Sequence, residues 1–381
     1  MTAPAPYQIH ATNAQLQDLR DRLHNTRWPE REVVDDWSQG TPLSYVQEVS
    51  TYWADQYNWR SREAALNRLT QWRGEAEGFG LHFVHMRSQH EHALPLLLSH
   101  GWPGSIVEFA KAIPSLLDPV AYGGKAEDAF HIVAPSLPGF GFSDKPKTPG
   151  TGVHRIATLF DSLMRGLGYD RYVAQGGDWG SVITTCIGAQ NLGACSAIHV
   201  NMPIGRPTAD DMNSADPDAR EGLAALQAYQ DWDSGYSKQQ ATRPQTIGYG
   251  LADSPAGQAA WILEKFWRWT DCDGHPENAL TRDELLDNIM MYWLPNTATS
   301  SARIYWESFG KPLLKETGPV KLPTGCSLFP KEIFRPPRQW AEREYANITY
   351  WNKLDKGGHF AAFEQPETFV DELRCFFREF R

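Results

Sequence analysis

The chain lacks the features that mark several broad classes of protein. It has no excess of basic residues, because 36 Lys and Arg stand against 46 Asp and Glu, a formal net charge of −10. A nucleic-acid-binding surface would instead show basic clusters. No stretch approaches the roughly 18 apolar residues of a membrane helix, and the first residues do not resemble a signal peptide. We therefore expect a soluble, cytoplasmic protein with neither a nucleic-acid nor a membrane partner.

Cysteine is sparse, and its positions form no Cys-x-x-Cys pair. The five residues are odd in number and scattered: Cys186, Cys195, Cys272, Cys326 and Cys375. This pattern argues against a disulfide framework and against a zinc site. We expect buried free thiols, and neither a metal nor a cofactor.

The order of apolar patterns predicts an α/β fold that is interrupted once. Residues 1–88 are mainly helical and connective, and we interpret them as an N-terminal arm. Residues 89–204 alternate short apolar runs with helical patterns, which indicates βαβ units and a mostly parallel sheet. Residues 205–318 lose that alternation and are predicted to form a helical cap rich in Trp and Tyr. Strand and helix patterns resume over 319–381, the second part of the core.

Within the arm the patterns are specific enough to test. Leucines at helical spacing begin near Asn13, and two further helices are predicted over about 43–57 and 61–72. Residues 81–86 alternate in the manner of a strand. The arm offers no nucleophile close to a base, so we expect it to serve packing rather than catalysis.

The segment Gly176-Gly177-Asp178-Trp179-Gly180 carries the first chemical signal. It follows a predicted strand and precedes a predicted helix, which is the context of a nucleophile elbow. Aspartate stands where serine is usual, and a carboxylate there can attack a saturated carbon to form an ester. The amide of Trp179, at the helix start, would stabilise charge on that ester. The structural alternative is an aspartate that caps the helix in a glycine-rich turn.

Two other loops have the composition expected around such a nucleophile. His100-Gly101-Trp102-Pro103-Gly104 follows a strand, where this arrangement places its second oxyanion donor, and Trp102 is the candidate. We expect His100 itself to be structural. Gly357-Gly358-His359-Phe360 follows the last predicted strand, where a histidine can act as the base.

These segments together resemble a known family. HGWPGS, SLPGFGFS, GGDWGS, FPKEIF and GGHFAAFEQPE, in this order, resemble the microsomal-type epoxide hydrolases of the α/β-hydrolase superfamily. RLHNTRWPE and YNWRSREAALN extend the resemblance through the arm, so it spans nearly the whole chain. It implies an α/β-hydrolase fold with a mostly parallel sheet, an inserted helical cap and a helical N-terminal arm.

The resemblance also implies the catalytic residues. Asp178 would be the nucleophile, His359 the base and Glu332 the acid that orients the base. The chain order Asp, Glu, His fits that of α/β-hydrolases. On sequence alone three nearby carboxylates would serve as well as Glu332, namely Glu342, Glu344 and Asp355.

Two tyrosines of the cap correspond to the donors that the family directs at the epoxide oxygen. They are Tyr236, in GYSKQQATRP, and Tyr305, in SSARIYWE. Ring opening leaves an alkoxide, to which a phenol can donate a hydrogen bond or a proton. Tyr249 and Tyr292 lie nearby in sequence, and we set them aside.

The function implied is hydrolysis of a bulky apolar or aryl epoxide to a vicinal diol through a covalent aspartyl ester. Detoxification and natural-product biosynthesis both use this chemistry. The alternatives are a haloalkane dehalogenase, which would need halide-binding donors, and a non-catalytic ligand-binding protein with the hydrolase fold. A serine esterase is disfavoured because the elbow carries aspartate. Mammalian members carry a membrane anchor, whereas this chain begins directly with the arm, which favours a soluble bacterial-type enzyme. A homodimer is compatible with the sequence.

Overall fold

The structure, a computed structural model, describes residues 2–381. Within them the central element is a sheet of nine strands. The strands are β1 (Thr2–Tyr7), β2 (Gln71–Ala76), β3 (Phe79–Met86), β4 (Leu94–Ser99), β5 (Phe130–Pro135), β6 (Tyr172–Gly176), β7 (Cys195–Val200), β8 (Thr324–Leu328) and β9 (Ile348–Lys353). Their spatial order is β1-β2-β3-β5-β4-β6-β7-β8-β9.

The sheet is mostly parallel, as predicted. Strands β5, β4, β6, β7, β8 and β9 pair in parallel, whereas β1, β2 and β3 pair antiparallel at one side and join the sheet through β5. Every residue of β6 and of β8 is buried. Burial along a whole strand is what a parallel strand covered on both faces requires. The predicted βαβ units and mostly parallel sheet are thus present.

Helices flank the sheet in three groups. Before it and along it lie α1 (Asn13–His24), α2 (Leu43–Asp55), α3 (Trp59–Leu66), α4 (Ile113–Leu117), α5 (Val153–Gly166) and α6 (Asp178–Gln190). Between β7 and β8 lie α7 (Pro217–Ala228), α8 (Gly235–Thr242), α9 (Pro244–Asp253), α10 (Pro255–Trp269), α11 (Arg282–Trp293) and α12 (Ala298–Ser308). After β8 come α13 (Arg338–Ala341), α14 (Ala361–Glu364) and α15 (Pro366–Phe377).

Two predictions for the arm need correction. The third helix begins at Trp59 and ends at Leu66, because residues 71–76 form β2 instead of the predicted helical end. Strand β1, over residues 2–7, was not predicted, since Thr-Ala-Pro-Ala-Pro-Tyr has no alternating apolar pattern. Proline is tolerated there because β1 is the edge strand of the sheet. The sheet therefore begins within the segment interpreted as the arm.

Hydrogen bonds and an ion pair join the helical arm segment to the helical insertion. Asp287 of α11, only 3% exposed, accepts a hydrogen bond of 2.7 Å from the Tyr57 hydroxyl and one of 2.9 Å from Arg62 Nε. Arg282 of the same helix forms an ion pair of 2.6 Å with Glu48. These contacts join segments more than 200 residues apart in the chain.

Among residues 2–381, no helix combines the length and the apolar composition needed to cross a bilayer. All five cysteines are free thiols. Four of them are buried as predicted, but Cys375 is exposed. It lies on α15, whose buried stripe faces the core through residues such as Phe369, Leu373 and Phe377 and leaves Cys375 on the outer side.

Candidate active site

The elbow around Asp178 has the strand–turn–helix form that the sequence predicts. Asp178 follows β6 directly, opens α6 and has a φ of 51°, in the left-handed region that is strained for residues other than glycine. The turn can be this tight because its neighbours lack a Cβ. A Cβ at Gly180 would overlap the Ser99 carbonyl oxygen, and one at Gly176 would overlap the Gly180 carbonyl oxygen.

The backbone amide of Trp102 contacts the Asp178 carboxylate. It donates a hydrogen bond of 2.7 Å to Oδ1, because Trp102 follows β4, the parallel neighbour of β6, and both strands end at the same edge of the sheet. Trp179 is the second residue of α6, so its amide belongs to the first turn, where amides have no partner inside the helix. The structure thus brings both predicted oxyanion donors to the elbow.

His359 and Glu332 complete a chain of contacts that begins at Asp178. His359 Nε2 lies 3.2 Å from Asp178 Oδ2, and Nδ1 lies 2.5 Å from Glu332 Oε1. Since the carboxylate of Glu332 can only accept, Nδ1 carries the hydrogen. The amide of His359 donates to the Trp269 carbonyl oxygen at 2.9 Å, which fixes the loop.

Only Glu332, of the four carboxylates that the sequence leaves open, reaches the histidine. It is 1% exposed, and its Oε1 also accepts from the Ile333 amide at 2.7 Å. Glu342 forms an exposed ion pair with Arg338, Asp355 is exposed, and Glu344 is half-buried.

The charges around His359 change its proton affinity. Burial on its own lowers the pKa of the imidazole, but Glu332 and Asp178 outweigh it and raise the pKa well above its usual value. The two carboxylates therefore favour the protonated imidazole as long as both are ionised.

The two predicted tyrosines face Asp178 from the helical insertion. Tyr236 of α8 stacks on the Trp102 ring, with centroids 5.0 Å apart and planes at 10°. Tyr305 of α12 packs edge-on against Trp179 at 4.8 Å. Burial raises the pKa of both phenols well above the usual value, and the Asp178 charge adds to this. Both phenols thus keep their protons and remain hydrogen-bond donors at neutral pH.

The tyrosines that we set aside lie elsewhere. Tyr249 is 71% exposed. Tyr292 is buried, but its hydroxyl donates to the Gly104 carbonyl oxygen at 2.6 Å, so it supports the loop that carries Trp102. His100 is structural as expected, since its Nδ1 lies 3.0 Å from the Gly101 carbonyl oxygen and its Nε2 accepts from the Leu137 amide.

Comparison with known proteins identifies the family. The family model for the epoxide hydrolase N terminus matches residues 4–109, and that for the alpha/beta hydrolase fold matches residues 95–232. A Stigmatella aurantiaca protein named "Putative epoxide hydrolase" is 54% identical over 99% of this chain and 85% of its own length. The chain belongs to the epoxide hydrolase family.

Other members resemble it along most of their length. Epoxide hydrolase 1 of Sus scrofa is 33% identical over 97% of this chain and 88% of its own length. The crystal structure of juvenile hormone epoxide hydrolase from the silkworm Bombyx mori matches with a TM-score of 0.92 and 31% identity, covering 100% of this chain and 95% of that chain. The Aspergillus niger epoxide hydrolase structure matches at 0.87 and 30%, covering 99% and 96%. The resemblance noted in the sequence and the predicted α/β-hydrolase fold are thereby confirmed.

A cavity of about 270 Å³ reaches Asp178, Tyr236 and Tyr305 in this epoxide hydrolase. His359 and Glu332 do not line it. Asp178 is therefore the contact between the cavity and the histidine. The remaining wall is mainly apolar, and its two cations are Arg206 and Lys311. Its other residues are Trp179, Val182, Met202, Ile204, Leu226, Tyr229, Ser308, Phe309, Gly310, Leu313, Ile333 and Phe334.

The tryptophans of the helical insertion do not line this cavity: Trp261, Trp267, Trp269, Trp293 and Trp306. Trp269 is instead core, packed against the Tyr236 ring at 5.1 Å and the His359 ring at 5.1 Å.

Tyr229 was not singled out by the sequence. Its hydroxyl lies 3.4 Å from the Tyr236 hydroxyl and donates to Ser237 Oγ at 2.8 Å. The spacing of seven residues, two helical turns, places it near Tyr236 and is the one sequence signal that could have indicated it.

Proposed function

We propose that this epoxide hydrolase works through a covalent ester on Asp178, in two half-reactions. The observation that carries the proposal is the position of the Asp178 carboxylate. It faces a cavity with two phenols, while its second oxygen lies beside His359 Nε2. In this proposal Asp178 is the nucleophile, the two phenols are acids and His359 is the base.

In the first half-reaction, an Asp178 oxygen attacks an epoxide carbon. A bond forms between that oxygen and the carbon, and the ring C–O bond breaks. Tyr236 and Tyr305 donate to the ring oxygen, which takes up a proton as it becomes a hydroxyl group. The product is a glycol monoester of Asp178.

In the second half-reaction, His359 removes a proton from water, which attacks the ester carbonyl carbon. The Trp102 and Trp179 amides stabilise the oxyanion, and Trp102 already bonds to a carboxylate oxygen of Asp178. The ester C–O bond then breaks, and the leaving alkoxide takes the proton of the regenerated Asp178 carboxyl group to give the diol. The proton held by His359 returns to the phenol that protonated the ring oxygen, so that the enzyme regains its starting state.

The raised pKa of His359 fits this order of events. Esterification removes the charge of Asp178, which is one of the two carboxylates that raise the pKa of the imidazole. The histidine therefore becomes easier to deprotonate when the ester has formed, and this is the step at which a neutral base is needed.

The rival functions fit the site less well. A haloalkane dehalogenase needs donors for a halide, whereas the groups that face Asp178 from the cavity include two phenols suited to an alkoxide. A binding protein without activity has no need for the contacts that link Asp178, His359 and Glu332.

The cavity wall supports a bulky apolar or aryl epoxide as substrate. Its aliphatic and aromatic side chains favour hydrocarbon groups, and styrene oxide is a suitable first probe. Such an enzyme would serve detoxification or natural-product biosynthesis.

The test is a single turnover in water labelled with heavy oxygen, followed by mass spectrometry of the Asp178 peptide. Because water attacks the ester carbonyl, we expect the label in the Asp178 carboxylate and an unlabelled diol. Label found only in the diol would show that water attacks the epoxide directly, and the ester mechanism would be wrong. Absence of diol formation from any epoxide would overturn the assigned activity itself.

A further inference from the structure

A buried lysine lies behind one of the two phenols. Lys265 of α10 is only 4% exposed, and a buried charge requires partners. Its Nζ lies 3.0 Å from Asp233 Oδ1 and 2.6 Å from Glu264 Oε2. Arg268 Nε adds a second cation, 3.9 Å from Asp233 Oδ2. The carboxylates explain how the charge is accommodated, but not what it does beside the active site.

The ammonium of Lys265 lies against the ring of Tyr236. Nζ is 4.5 Å from the ring centroid of Tyr236 and 5.3 Å from the ring of Trp269, within the roughly 6 Å over which a cation is attracted to an aromatic face. Three oxygen-bearing groups also act on this phenol: Tyr229, Tyr305 and Asp178. These groups and burial all disfavour negative charge on Tyr236, whereas Lys265 favours it.

We propose that Lys265 is a positioning residue for ring opening and that it acts through the Tyr236 ring. The inference rests on the donor role proposed above for Tyr236. As the ring C–O bond breaks, the Tyr236 proton moves toward the leaving oxygen, and negative charge develops on the phenol and its ring. The ammonium stabilises that charge. The stabilisation is larger in the transition state than before it, which is the condition for acceleration.

A purely structural role would produce a different pattern. Asp233 Oδ2 accepts a hydrogen bond of 2.8 Å from Trp269 Nε1, and the carbonyl oxygen of Trp269 accepts from the His359 amide. If Lys265 only held α10 in place, its loss would disturb His359 and slow ester hydrolysis. An effect through Tyr236 would instead slow ester formation. The two half-reactions therefore distinguish the two roles.

The experiment is rapid acid quenching of single turnovers of styrene oxide, with the Asp178 ester quantified by mass spectrometry. For Lys265→Met we expect ester formation about 10- to 30-fold slower, since a desolvated cation–π contact is lost, and an unchanged rate of ester hydrolysis. Lys265→Arg should restore most of the rate. In a Tyr236→Phe background, Lys265→Met should have no further effect.

Two other variants serve as a substitute and as a control. Lys265→Gln keeps a donor for Asp233 without the charge, and it serves if Lys265→Met does not fold. Lys111→Met is the matched control, because Lys111 Nζ also lies over an aromatic ring, Phe363 at 5.0 Å, and 3.1 Å from a carboxylate, Glu284. It should leave both steps unchanged.

Equal slowing of both steps by Lys265→Met, or an effect that persists in full without the Tyr236 hydroxyl, would overturn the inference. A Tyr236→Phe variant that forms the ester at the rate of the unmodified enzyme would instead overturn the donor role on which it rests. If Lys265→Met forms the ester at the rate of the unmodified enzyme while Tyr236→Phe forms it slowly, only the role assigned to Lys265 would be refuted.

Discussion

The His359 imidazole and the Asp178 carboxylate are direct neighbours, with Nε2 3.2 Å from Oδ2. From this position the imidazole can activate a water molecule that attacks an Asp178 ester. Formation of that ester does not require the imidazole. Loss of the imidazole should therefore affect the two half-reactions differently.

Replacement of the base should trap the intermediate. In His359→Gln we expect steady-state turnover to fall by about 10²- to 10⁴-fold, the usual contribution of a general base, while the Asp178 ester accumulates. Intact-protein mass spectrometry should show an added mass equal to that of the epoxide. Asp178→Asn is the control and should show no adduct. An unmodified His359→Gln protein after incubation with substrate would contradict the prediction.

The acid side of the pH profile should depend on Glu332. Burial lowers the pKa of His359, and Glu332 is the largest of the groups that raise it. Because the base works only when neutral, the rate of ester hydrolysis falls as the pH drops through that pKa. Glu332→Gln removes the raising charge, so the acid limb should move to lower pH while the plateau rate also falls. Single-turnover hydrolysis measured across pH would show this. A limb that stays in place or moves to higher pH would exclude the proposed pairing.

The two phenols should contribute to the same step. Tyr236→Phe and Tyr305→Phe should each slow ester formation by about 10- to 100-fold, the range expected for a hydrogen bond to a charged group, and the double variant should be slower than either. Rapid quenching with styrene oxide measures the step. Tyr249→Phe, at a position 71% exposed, is the control and should match the unmodified enzyme. Tyrosine variants with a normal ester formation rate would contradict the donor role of the two phenols.

The elbow should tolerate a methyl group at one glycine but not at another. At Gly180 a Cβ would overlap the backbone of Ser99, so Gly180→Ala should lower the free energy of unfolding by about 1–3 kcal/mol or more and reduce activity. At Gly177 no heavy atom lies within 4 Å of the Cβ position, and its φ of −117° suits any residue. Gly177→Ala should therefore stay close to the unmodified enzyme in urea unfolding. Equal behaviour of the two variants would be evidence against the tight turn.

The sequence predicted the parts of the site that depend on local pattern. Asp178 and His359 lie in loops that follow strands, and both the strands and the glycines that surround these loops are recognisable in the chain. The choice of Glu332 needed the family resemblance, because neighbouring carboxylates have the same local pattern. The structure separates them by burial and by the contact with His359 Nδ1.

The rest depends on contacts between distant residues. Lys265 comes within reach of Tyr236 only when α10 packs against α8 across 29 positions of the chain, and no local pattern encodes that approach. The tryptophans of the insertion could be assigned to core or cavity only when the faces of their helices were known. Strand β1 was missed because an edge strand needs neither alternation nor an apolar face to pair with β2.

The bonds from Tyr57 and Arg62 to Asp287 have a consequence for how substrate enters. To lift the helical insertion away would break the bonds of Asp287 to Tyr57 and Arg62 and the ion pair between Arg282 and Glu48. The cavity, however, already reaches the protein surface at Phe309, which is 40% exposed and lines its wall. Epoxide and diol can therefore pass beside Phe309 without displacement of the helical insertion, and residues around Phe309 become the place to alter which substrates are admitted.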